Sequence, residues 1–176
     1  MWTYVVCVTL LLSTATAKRE YGSCDPLTPE WEFSIPRFSL TWYLQYSLDS
    51  VSADCISIYF VNGINEMYFT IEYKDLMTNK TTKGKGVAKL LNPAKVEAAF
   101  EVTYKDESLW KWPHIITITF VDNHRYSVIE ACSPQPLGFR NRHLWVLTRS
   151  PNYTTPFPTL DVKNLFHINH KGCNYK

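Results

Sequence analysis

Long hydrophobic runs are scarce in this chain. Val5 to Leu12 is the first, and it is too short to cross a bilayer. The small residues Ala15-Thr16-Ala17 come next in the form of a signal-peptidase site, so residues 1–17 read as a signal peptide and the mature chain is expected to begin at Lys18. No later segment is long and apolar enough to span a membrane, and the tail "HINHKGCNYK" is too polar for a lipid-anchor signal. A secreted, extracellular protein of one domain, residues 18–176, is the expectation. A strong charge of either sign is also missing. The formal net charge is +2 and the lysines are scattered, which argues against nucleic acid as a partner. There are no internal repeats to suggest a propeller or solenoid.

Close cysteine pairs of the C-x-x-C kind, which a zinc site favours, are absent too. Of five cysteines, Cys7 leaves with the signal peptide. Cys24, Cys55, Cys132 and Cys173 remain, an even number that reads as two disulfides, with three connectivities open. Nothing is then left over as a thiol nucleophile, and a non-enzymatic protein is expected. His167 and His170 lack a third ligand nearby in sequence and read as surface residues, so no metal is expected.

Strand-like segments rich in aromatics are what the chain does have; Phe, Trp and Tyr make up 15% of it. After an irregular lead-in from Lys18 to Pro36, "FSLTWYLQYS" alternates with Phe38, Leu40, Trp42, Leu44 and Tyr46 on one face. "CISIYFV" is apolar on both faces. "EMYFTIEYKDL" places Met67, Phe69, Ile71 and Tyr73 together; "TTKGKGVAKLL" is more polar; "VEAAFEV" aligns Val96, Ala98, Phe100 and Val102. "HIITITFV", "RYSVIEAC" and "RHLWVLTR" complete eight closely spaced strands separated by turn signals. One short helix is expected from Thr159 to Ile168, capped by Thr159. This order favours an all-β antiparallel meander, closed as an up-and-down barrel or split into a sandwich. Asn79-Lys80-Thr81 and Asn152-Tyr153-Thr154 have the form of glycosylation acceptors, in turn-like stretches.

Three of these stretches resemble the signatures of the lipocalins: "FSLTWY" the first, "FVDNHRY" the second and "WVLTRSP" the third. The likeness covers nearly the whole mature chain and is nearest to the apolipoprotein D, insecticyanin and bilin-binding branch. Leu40 stands where the family has glycine, and Val121 and Asn123 flank Asp122 where threonine and tyrosine are usual. The resemblance implies an eight-stranded up-and-down barrel with one C-terminal helix, open at one end, holding a small hydrophobic molecule. It implies the pairing of Cys24 with Cys132 and Cys55 with Cys173, and a stack of Trp42 on Arg149 that closes the barrel base.

If Trp42 and Arg149 face inward, alternation brings Leu44 and Tyr46 inward with the first, and Trp145 and His143 with the second. The apolar faces of the other strands add Phe69, Ile71 and Tyr73, then Ala98 and Phe100, then Ile116, Ile118, Phe120 and Ile129. These faces carry no Asp, Glu or Lys, which argues against a charged amine such as histamine. A bile pigment, carotenoid, retinoid, sterol or fatty acid fits better, held without covalent attachment, with Tyr46, Tyr73 and His143 meeting its polar ends and His143 placed for a tetrapyrrole carboxylate. A barrel this size can instead be filled by its own side chains. The alternative is then a protein-binding lipocalin, a protease inhibitor or salivary antagonist, acting through loops such as "CSPQPLGFRNRH", with Phe139 and its arginines presented to a partner.

Overall fold

The computed structural model describes residues 18–95, 97–105, 113–158 and 160–175; the expected signal peptide, Val96 and Thr159 lie outside them. Eight strands succeed one another as an antiparallel meander: β2 (Leu40–Ser47), β3 (Ala53–Asn62), β4 (Glu66–Asp75), β5 (Thr81–Leu90), β6 (Ala99–Tyr104), β7 (Ile115–Val121), β8 (Tyr126–Gln135) and β9 (Phe139–Thr148). Because β2 pairs with both β3 and β9, the sheet closes into a barrel, the fold the resemblance implies. Closure removes the exposed edges that an open sheet would present.

The lead-in is not wholly irregular. It contains β1 (Lys18–Tyr21), laid antiparallel on β9, and one turn of helix, α1 (Ile35–Phe38). That turn carries Phe38 under the barrel, where it packs on Phe33, Phe60 and Trp42. Both disulfides have the implied connectivity, Cys24 to Cys132 and Cys55 to Cys173, across sequence separations of 108 and 118. Loops of that length contribute up to roughly 4–5 kcal/mol each on the chain-entropy argument.

Burial distinguishes the two apolar faces of "CISIYFV". Ile56, Ile58 and Phe60 face inward, while Tyr59 and Val61 are exposed. The polar segment is a full strand, β5, because its lysines all point to solvent and its inner positions are small: Gly84, Gly86 and Ala88. Those small positions make room for bulk opposite. A Cβ on Gly86 would come within 2.3 Å of the Phe69 ring and 2.6 Å of the Thr103 carbonyl oxygen.

Two β-bulges correct the expected alternation. Register shifts between Leu44 and Tyr46 in β2, and between Ile118 and Phe120 in β7. An extra residue on one strand inverts every side chain beyond it. Tyr46 and Phe120, expected inside, therefore stand outside, in a second apolar cluster with Tyr126, Val128 and Val146. Ser47 and Val121 turn inward in their place, opposite Trp145 and Ser127.

The expected C-terminal helix is also corrected. Residues 160–165 are an irregular segment with a turn, and Phe166–His167 is a two-residue strand, β10, on β2. The Asp161 carboxylate accepts from the Lys163 N–H, a local bond that competes with a helix, and Leu165 N–H bonds back only to Val162. Leu160, Leu165 and Phe157 then cover the outer cluster left by the two bulges.

Candidate functional site

The strand directions give the barrel two different ends. At the base, β2 begins and β9 finishes, and there the Arg149 guanidinium lies 3.7 Å from the Trp42 ring centroid. Phe38 also stacks on that indole, ring centroids 4.9 Å apart, and the Trp42 indole N–H donates to the Phe38 carbonyl. Arg149 donates to the carbonyl oxygens of Arg37, Phe38, Ser39, Thr41 and Asn123, joining the first, second and third sequence signatures through one side chain. Burial pushes its pKa down to about 10, which leaves it charged at neutral pH. A stacked, five-bond cation belongs to the architecture of a closed base.

Above this base the inner faces meet in one apolar cluster. Leu44, Phe69, Ile71, Tyr73, Ala98, Phe100, Ile116, Ile118, Ile129 and Trp145 all lie inside, each 2% exposed or less. Contacts that tight leave no water-sized space beside these side chains. The lower barrel is therefore a packed floor rather than a deep well. Ordinary hollows lie outside it, such as one of about 830 Å³ at the base lined by Leu40, Thr41, Tyr59, Asn123 and His124.

Polar chemistry gathers at the opposite end, the mouth, where β2 ends and β9 begins. His143 is on the inner face, with its ring 5.4 Å from that of Trp145 and nearly parallel to it. Its Nδ1 N–H donates to Asp49 Oδ2 at 2.9 Å. Asp49 lies in the bend after β2, its own backbone N–H held by the Ser47 hydroxyl, and the residue is only 7% exposed. The second oxygen, Oδ1, is buried and has no hydrogen-bond partner among the described residues. This acid revises the expectation of an inner surface without negative charge. Alternation read only as far as Ser47 could not find Asp49, because it reaches the lumen from a bend and not from a strand face. His143 is thus engaged by a carboxylate of the protein itself.

Of the other expected site residues, Asn79 and Asn152 are exposed, in or beside turns. His170 is buried, not on the surface: its Nε2 N–H donates to the Leu44 carbonyl at 2.8 Å and its Nδ1 accepts from the Tyr175 hydroxyl. No cluster of metal-binding side chains occurs among the described residues. The loop before β9 exposes Leu137, but Arg140 is held by Glu20, Asp25 and the Ser23 carbonyl, and Phe139 lies beneath Arg19 and Tyr21.

No protein-family model and no curated protein matches the sequence. Solved structures do match the fold. Insecticyanin from the tobacco hornworm Manduca sexta is similar over 77% of this chain and 73% of its own, at TM-score 0.63 and 13% identity. Lobster apocrustacyanin A1 is similar over 81% and 89%, at TM-score 0.60 and 12% identity. A biogenic amine-binding protein is similar over 87% and 91%, at TM-score 0.63 and 14% identity. The chain has the lipocalin fold that these structures share.

Proposed function

We propose that this lipocalin-fold barrel is a secreted, non-enzymatic carrier that sequesters one small molecule at its mouth. The observation that carries the reading is the Asp49–His143 pair at the mouth, its imidazole stacked on the buried Trp145, a few directed polar groups above an apolar floor. The packed lower barrel favours a compact ligand resting on that floor over a long chain threaded into the base. A largely apolar or aromatic body with a polar end suits the surface, and an extended pigment or carotenoid suits it less well. The biogenic amine-binding neighbour supports a small ligand, and the two disulfides support an oxidising, extracellular setting. Asn79 and Asn152, both exposed, are proposed glycosylation sites of the secreted chain.

A second reading rests on the same close packing: a filled barrel that acts on a protein partner through its surface. The tethering of Arg140 weakens the loop before β9 as the recognition element, since the arginine is already occupied.

Native mass spectrometry of the secreted protein separates the two. A co-purifying or added small molecule bound one to one supports the carrier. A mass that no small apolar or amphipathic compound shifts favours the surface reading.

A further inference from the structure

We propose that the hollow at the barrel base is a second binding site, separate from the mouth, for an organic anion: a carboxylate or sulfonate on a compact apolar body. Its volume, about 830 Å³, is in the range of small-molecule sites, and Arg37, Leu40, Tyr59, His124 and Arg149 are among the residues that line it. The packed barrel interior lies between this hollow and the mouth, so a ligand here does not depend on the carrier reading.

Two guanidinium groups meet at the hollow, and no aspartate or glutamate among the described residues lines it. Arg149 donates to five carbonyl oxygens, so it supplies charge there rather than free hydrogen bonds. One of those bonds, 3.0 Å from Nη2 to the Arg37 carbonyl, fixes the backbone from which Arg37 extends. The Arg37 side chain is exposed and has no acid or carbonyl partner among the described residues. Asp122, the acid beside the lining residue Asn123, is already bound by Arg125 Nε at 2.6 Å. A guanidinium with its planar fork free receives an oxyanion through paired N–H donors, here beside a second positive charge.

Leu40 indicates the apolar half of the ligand. It holds φ 80°, a conformation that costs leucine and not glycine, and its side chain is 63% exposed, so no burial offsets the strain. Tyr59, 47% exposed, stands opposite Thr41 across the β2–β3 pair, next to Leu40 on the same hollow. A strained residue that gains nothing in the free fold is a mark of a contact site. A molecule seated against Leu40, Tyr59 and Arg37 covers both apolar side chains and neutralises the unpaired cation.

The test is isothermal titration calorimetry of the full secreted chain with 2-naphthoate and with its neutral isostere 2-naphthamide. The anion is expected to bind about fivefold tighter than the amide, the scale of a partly exposed ion pair, and to lose that lead in high salt. Arg37→Gln is expected to bring the two probes together by weakening only the naphthoate. Leu40→Gly is expected to weaken both by about threefold or more, for the apolar area withdrawn. That substitution relieves backbone strain, so lost affinity does not reflect unfolding. If naphthoate binds wild-type protein no tighter than naphthamide, or if neither binds, the inference is overturned. It is overturned equally if naphthoate binds and neither substitution changes its affinity, because the ligand then sits elsewhere. Each of these failures leaves the carrier reading to be decided by the native mass.

Discussion

Arg149 lies over the Trp42 ring at 3.7 Å and Phe38 stacks on the same indole at 4.9 Å, so the indole packs against both a cation and a ring. Arg149→Lys retains the charge but loses the planar fork that reaches five carbonyl oxygens. The substitution is expected to cost roughly 1–3 kcal/mol. Urea unfolding should show a lower midpoint at unchanged slope, and ligand affinity at the mouth should stay within about twofold because the two ends share no residue.

Leu40 occupies the position of the family's glycine and does so at φ 80°, in the left-handed region, with its side chain 63% exposed. That conformation costs leucine about 1–3 kcal/mol, and glycine, which adopts it freely, gives up only about 0.4–1 kcal/mol through the greater entropy of its unfolded chain. Leu40→Gly is therefore expected to raise stability. A lower thermal midpoint would contradict a left-handed conformation at Leu40.

The opposite holds for a glycine inside the barrel. Gly86→Ala places a methyl 2.3 Å from the Phe69 ring and 2.6 Å from the Thr103 carbonyl oxygen, and should destabilise by about 1–3 kcal/mol. Phe69→Leu in the same chain relieves the first clash but not the second. A double-mutant cycle should therefore show partial rescue.

Burial pushes the His170 imidazole below its ordinary value of 6.5, and the Nδ1 that accepts from Tyr175 has no place for a second proton. The unfolded chain then binds the proton first, so stability is fully present above about pH 6.5 and is lost as pH falls toward the folded-state pKa. Unfolding midpoints should drop from pH 7 toward pH 5, and His170→Gln should flatten that part of the profile. A wild-type profile already flat there would contradict the burial of a neutral His170.

Eight strands are readable in the chain because a barrel with one wet face writes its pleat into the sequence, as Met67, Phe69, Ile71 and Tyr73 do along β4. The base is readable for a different reason: Trp42 and Arg149 have no neutral substitutes for a stacked cation. Bulges leave no such mark. Gln45 and Thr119 resemble any strand residue, yet each inverts the side chains beyond it, and Tyr46 and Phe120 end outside. The C-terminal run has helical spacing, but the outer patch it must cover and the Asp161 turn draw it into another shape. Asp49 escapes periodicity altogether because a bend has none.

Whether the mouth holds a small molecule is the central question, and native mass spectrometry of the protein purified from its own source reads this directly. One bound small molecule per chain is the predicted result. An unliganded mass that no small apolar or amine compound shifts would contradict it and leave the barrel as a filled scaffold.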